Sequence, residues 1–296
     1  MEAHFHNLTH VFEKVEYHIR NGTFVVADQT TETMVTQAII LIAAFLSFTS
    51  NLVIIFSTIK NSNTLNSNLD TLILHISIFG NFIIILQCAL VFDDAKYLVK
   101  NISETLYCFL DDLWGVLMQG IIFFMILIKI YWFSRIYAPD KNAWLQKYFQ
   151  SVIKAVYILL GLLILLHLEA CVNWRLYQLP ISLLILFTGI YAAFIVGLDV
   201  IHVFKRKSYK KYITYDISFI VPNLFLLAWM PLLLNILFAF YYFRFINVSK
   251  IVGMLYPVYV CFVLFLYDEH YNLAFKNFFR CRRKLDHVIV NTQENV

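Results

Sequence analysis

Seven unbroken apolar runs constrain what this chain can fold into. They cover residues 36–59, 72–92, 113–133, 152–168, 179–204, 217–240 and 252–267. A helix needs about 20 apolar residues to cross a ~30 Å hydrocarbon core. Five runs meet that length; the fourth and seventh are shorter. Composition points the same way. Of 296 residues, 60% are hydrophobic and 14% charged, and the mean hydropathy is +0.71. Soluble domains hold about 45–50% apolar and about 25% charged residues. The length alone would suggest about two soluble domains, but a water-soluble fold cannot bury this much apolar surface. Disorder is excluded, because disordered chains are polar and charge-rich. Five cysteines in 296 residues are too few for a disulfide-stapled mini-protein. Barrel strands alternate apolar and polar residues, and these runs do not. The expected fold is therefore all-α, a polytopic membrane seven-helix bundle, with short loops joining antiparallel neighbours.

Basic residues indicate the orientation, since Lys and Arg concentrate in cytoplasmic loops. With the N-terminus outside, sixteen of the 23 basic residues fall on cytosolic segments and seven outside, whereas eleven acids lie outside and eight inside. The net charge of +4 reflects this asymmetry and is not a nucleic-acid signal. Four N-x-S/T sequons, at Asn7, Asn21, Asn101 and Asn247, fall on the outer side in this arrangement. Glycosylation requires that side. The expected organisation is an extracellular tail over 1–35, a bundle over 36–268 and a cytoplasmic amphipathic eighth helix with tail over 269–296. The tail lacks a signal-peptide pattern, so the first span is expected to act as the signal anchor.

Cys108 lies just before span 3, at its outer end, and Cys171 in the outer loop after span 4; both are on the oxidising side, where a disulfide can form and would pin that loop over span 3. Two free buried thiols are the alternative. Cys88 and Cys261 read as small hydrophobes within spans. Cys281 sits between Phe278-Phe279-Arg280 and Arg282-Arg283-Lys284. It is either a palmitoylation site beside the membrane or an ordinary cytosolic thiol.

This architecture resembles that of G-protein-coupled receptors. Phe225, Trp229 and Pro231 are similar to the F-x-x-x-W-x-P of span 6 in rhodopsin-like receptors. Ser50-Asn51-Leu52-Val53 resembles their G-N-x-x-V, and Tyr271 and Phe278 match the spacing of the terminal tyrosine and eighth-helix phenylalanine. The resemblance implies a proline-kinked span 6 with Trp229 beneath a ligand. Other positions depart from the pattern. No D-R-Y ends span 3, Gly80 and Asn81 stand about where the family keeps an aspartate, and Tyr267-Asp268-Glu269-His270-Tyr271 replaces N-P-x-x-Y. Lys129-Ile130 followed by Phe133-Ser134 resembles the K-I-x-x-F-S of type 2 (bitter) taste receptors, as does the stretch from Tyr256-Pro257 to Ala274-Phe275. Nematode chemoreceptors and herpesvirus-encoded receptors erode the same motifs.

Intramembrane charges usually mark pumps, transporters or membrane enzymes, and few fall within the runs. Asp199 lies near the cytosolic end of span 5. His75 in span 2 reads as a packing histidine. No zinc pair, nucleophile elbow or Walker loop is present. No catalytic residue, metal or cofactor is expected. The outer half of such a bundle is the natural ligand cavity. Candidate ligand-facing groups are Asp112, Gln119, Asn235, Tyr256 and Tyr259, with Trp229 as the floor; Asp111 and Asp112 sit so close to the outer end that they read first as solvated surface acids. Lys129 or Arg135 is expected to replace the missing D-R-Y arginine as the switch. Lys205, Arg206 and Lys207 form a basic loop that faces anionic lipid or a G protein. The expected protein is a plasma-membrane, multi-pass, chemosensory-type receptor. Its expected partners are an extracellular small ligand, a heterotrimeric G protein and membrane lipids, with no nucleic acid. The alternatives are a non-signalling or constitutively active (for example virus-encoded) seven-span protein, and a transporter or channel.

Overall fold

The computed structural model describes residues 26–60, 68–91, 104–173, 179–206, 216–237, 243–269 and 271–276. Among them the elements are α1 (Val26–Lys60), α2 (Asn68–Val91), α3 (Glu104–Tyr137), α4 (Pro139–Lys147), α5 (Phe149–Val172), α6 (Leu179–Arg206), α7 (Ile217–Leu237), α8 (Phe243–Met254) and α9 (Tyr256–Tyr267). No strand occurs among the described residues. The chain divides into two compact units, Met1–Ile42 and Ala43–Val296. Of the first, only the start of α1 is described.

Six helical segments are long and apolar enough to cross a membrane: Val35–Lys60, Asn68–Cys88, Cys108–Tyr137, Phe149–Val172, Ser182–Lys205 and Val248–Tyr267. A further apolar stretch, Ile217–Leu232 within α7, is shorter. Exposure supports a lipid setting. Phe204, Leu227, Phe45 and Phe262 project outward, whereas Lys129, Gln119, Ser47 and Asn51 are buried. Water would disfavour that distribution; a hydrocarbon solvent favours it.

Helix bounds differ from the apolar runs in an instructive way. The third helix begins well before residue 113 and so carries Cys108 and Asp112 within it. Hydropathy undercounts it because its first turns carry Glu104, Asp111 and Asp112. The expected loop around Asn247 is instead part of α8, whose Arg244 and Lys250 hide it from an apolar count. Residues 271–276 are helical, and the rest of the expected eighth helix lies outside the described residues.

The second unit packs around α3, which touches α2, α4, α5, α6 and α7, while α7 also touches α6, α8 and α9. The α8–α9 junction shows how the sequence bends a span. Pro257 has no N–H to offer Gly253, so the helical ladder breaks there. The Val258 N–H bonds to the Leu255 carbonyl at 3.0 Å instead of to Met254. The Met254 carbonyl is satisfied from elsewhere: the Ser47 hydroxyl of α1 donates to it at 2.5 Å. Pro222 and Pro231 interrupt α7. There the Tyr191 hydroxyl donates to the Pro222 carbonyl at 2.6 Å and ties α6 to α7.

Candidate functional site

Cys108 and Cys171 are disulfide-bonded, with Cα atoms 5.8 Å apart, and join the start of α3 to the end of α5. Asp112 is half-buried beside them, its carboxylate 3.7 Å from the Cys171 sulfur. These three side chains converge, but the sulfurs are bonded to each other and neither is a thiolate ligand.

At mid-depth, α7 and α9 bring an aromatic cluster together. The Phe225 ring meets Tyr191, Tyr256 and Trp229 at centroid distances of 5.7, 5.2 and 6.4 Å. The Tyr256 hydroxyl donates to the Val221 carbonyl at 3.4 Å and lies 3.7 Å from the Met125 sulfur. Gly253 lies flat against the Trp229 ring. Gln119 lies on α3, six residues before Met125 toward the disulfide. It is fully buried, and neither its amide nitrogen nor its oxygen has a hydrogen-bond partner in the structure. His167 on α5 is also buried with neither ring nitrogen bonded. Burial without partners costs roughly 1–3 kcal/mol per group, so these two residues are poised to gain from a polar ligand or water. In this conformation Gln119, Trp229 and Tyr256 are closed to solvent, and Trp229 packs against Gly253 instead of flooring an open cavity. Tyr259 is exposed on α9. Asn235 lies on α7, with its side chain outside the described residues.

The opposite, basic end is held by charge. Lys129 on α3 is fully buried and lies 2.5 Å from the Asp199 carboxylate on α6. It also reaches Asn223 Oδ1 on α7 at 3.5 Å. Its ammonium sits 4.1 Å from the Phe219 ring centroid and 4.8 Å from that of Trp132. One cation therefore links three helices, with two aromatic faces replacing part of the lost water. Trp132 in turn packs on His202, whose Nδ1 lies 2.7 Å from the Tyr137 hydroxyl. Nearer the helix end, Arg135 pairs with Asp216 at the start of α7, and the Ser218 hydroxyl donates to the same carboxylate oxygen at 3.0 Å. Both expected switch residues are thus tied to α6 or α7.

Sequence reasoning noted Asp199 as an intramembrane acid without giving it a partner, and it missed Asn223, Phe219 and Asp216. A signal for the Asp199 pairing existed. A lone lysine and a lone aspartate near the same end of two apolar spans imply a pair, because neither is tolerated alone. His75 packs as expected: the Tyr157 hydroxyl lies 2.8 Å from its Nδ1, and its ring stacks on Phe124. Lys205 is exposed over the rings of Phe133 and Tyr137. The side chain of Arg206 lies outside the described residues, as do Lys207, Cys281, Asn7, Asn21, Asn101 and the side chain of Asn247.

No protein-family model and no curated protein matches the chain. The functional reading therefore rests on the molecule's own geometry.

Proposed function

We propose that the chain is a seven-span, G-protein-coupled-receptor-like protein of the plasma membrane, of chemosensory type. In this reading the disulfide end is extracellular and the basic end cytosolic, with α7 as the sixth span, α8 and α9 as the seventh, and residues 271–276 starting an eighth helix. The observation that carries it is the Lys129–Asp199 pair, with Asn223 and Phe219 of α7 around the same ammonium. A buried ion pair is costly to form and costlier to half-break. It is suited to holding one packing and to releasing another when a bound ligand compensates. A small ligand meeting Gln119 and His167 would favour an opened outer half. Movement of the proline-interrupted α7 would then part Arg135 from Asp216 and expose the basic end to a G protein.

The test is signalling in a heterologous cell with a surface tag, comparing the native chain with Lys129→Ala, Arg135→Ala and Trp229→Ala. A basal or ligand-evoked second-messenger signal that this panel alters at equal surface expression supports the reading. Silence of every variant with promiscuous G proteins and a broad ligand set points to a non-signalling binder. The same buried pair favours a second reading, an ion-coupled transporter. Flux into vesicles that Asp199→Asn abolishes would establish that reading instead.

A further inference from the structure

A cleft of about 430 Å³ opens beside the basic end, between α3, α4 and α6. That volume lies in the range of small-molecule sites, about 300–1,000 Å³. Its walls are apolar: Ile130 and Phe133 from α3, Phe194 and Leu198 from α6, Leu145 from α4. Its rim is not. Lys141 lines it directly, and Lys205 sits 5.9 Å from the centroid of the lining Phe133 ring. Asp140 is the acid beside Lys141 on the first turn of α4. The Ser134 hydroxyl at the wall is already engaged with the Tyr131 carbonyl and Asn142.

Position identifies the occupant. The cleft lies where two membrane-sized helices, Cys108–Tyr137 and Ser182–Lys205, reach their basic ends. One turn along the same face of α6, Ile201 is an exposed apolar residue, as lipid-facing side chains are. Across it, α4 presents an exposed Trp144 and buries Leu145. An exposed tryptophan beside lysines is the side-chain signature of the headgroup level. Apolar walls open to hydrocarbon, capped by cations at headgroup depth, match one chemistry. We propose that this cleft binds an anionic glycerophospholipid. One acyl chain lies against Phe133, Phe194 and Leu198, and the headgroup phosphate and its extra negative charge meet Lys141 and Lys205. The inference needs only a membrane-spanning chain and is independent of signalling.

The experiment uses the full chain in phosphatidylcholine nanodiscs doped with a phospholipid carrying a diazirine on its acyl chain. The headgroup is phosphatidylserine in one arm and phosphatidylcholine in the other; a third arm carries a diazirine fatty acid. Cross-linked peptides are mapped after irradiation. Labelling of the Phe133 and Phe194–Leu198 peptides should be at least fivefold higher with the serine headgroup. Lys141→Gln with Lys205→Gln, both at exposed positions, should reduce it to the phosphatidylcholine level. Leu198→Trp, which fills the cleft, should remove labelling there while leaving α1 and α5 labelling unchanged. Equal labelling by both headgroups, or stronger labelling by the fatty acid, overturns the anionic-phospholipid assignment. Labelling that survives Leu198→Trp in a variant that elutes as a single species overturns the cleft itself.

Discussion

Gly253 and Trp229 are in face-to-backbone contact: a methyl group added at residue 253 would lie 2.7 Å from Trp229 Cε3 and 2.8 Å from Cδ2. No side-chain carbon fits at that distance, so α8 can approach α7 this closely only through glycine. Gly253→Ala should destabilise the protein by about 1–3 kcal/mol, the usual cost of overpacking. Thermal unfolding in detergent should show a lower midpoint. Trp229→Leu in the same chain should recover part of the loss, because the two substitutions share one contact. Strictly additive losses would show that the contact is not the cause.

Ser47 and Pro257 form a second coupled pair. The proline opens the ladder, and the serine hydroxyl caps the Met254 carbonyl that the opening releases. Ser47→Ala leaves that carbonyl without its donor in a region where no water replaces it. The expected cost is about 0.5–1.5 kcal/mol. Pro257→Ala restores the missing N–H and lets the helix close its own bonds. The serine substitution should therefore cost less in a Pro257→Ala background than in the native chain. Unfolding midpoints of the four proteins in the cycle test this directly.

Lys129 and Asp199 should behave as a unit. Lys129→Met strands a carboxylate, and Asp199→Leu strands an ammonium that is fully buried. Each single substitution should cost roughly 3–5 kcal/mol, whereas replacing both with apolar residues should approach neutrality. Surface yield and unfolding midpoint would show two poor single variants and a recovered double. A double variant as damaged as the singles would mean that Asn223 and the aromatic rings, not Asp199, hold the lysine.

Six of the membrane helices and the Cys108–Cys171 bond were legible in the sequence, because length, apolarity and compartment chemistry are local properties. Partner choice was not. Hydropathy identifies Lys129 and Asp199 as expensive residues, but only the packing of α3 against α6 makes them a pair. It likewise fails to distinguish Tyr256, which is buried in the aromatic cluster, from Tyr259, which is exposed. Both are tyrosines on one helix, and the face each occupies is fixed by neighbours distant in sequence. The start of α8 was missed because its first turns carry charge, and an apolar count registers transfer energy without registering helical continuity.

Tyr271 carries the last prediction. Its phenol is buried after the final membrane helix, with its oxygen 3.0 Å from the Thr58 hydroxyl on α1. Its backbone N–H is capped by the Asp268 carboxylate at 3.1 Å. Burial, with Asp70 nearby, pushes the phenol well above its ordinary value of 10. The sign follows from linkage. Below about pH 10 both folded and unfolded phenols are protonated, and the contribution of Tyr271 to stability is constant. Above that pH only the unfolded phenol ionises, so stability falls as pH rises. Tyr271→Phe should cost about 0.5–1.5 kcal/mol at neutral pH through the lost hydroxyl contact. It should also make the decline of the unfolding midpoint above pH 10 shallower than in the native chain. Parallel alkaline limbs for the two proteins would show that the phenol is hydrated in the folded state. Asp268→Ala, which removes the cap but leaves the phenol, should cost about 1 kcal/mol without flattening that limb.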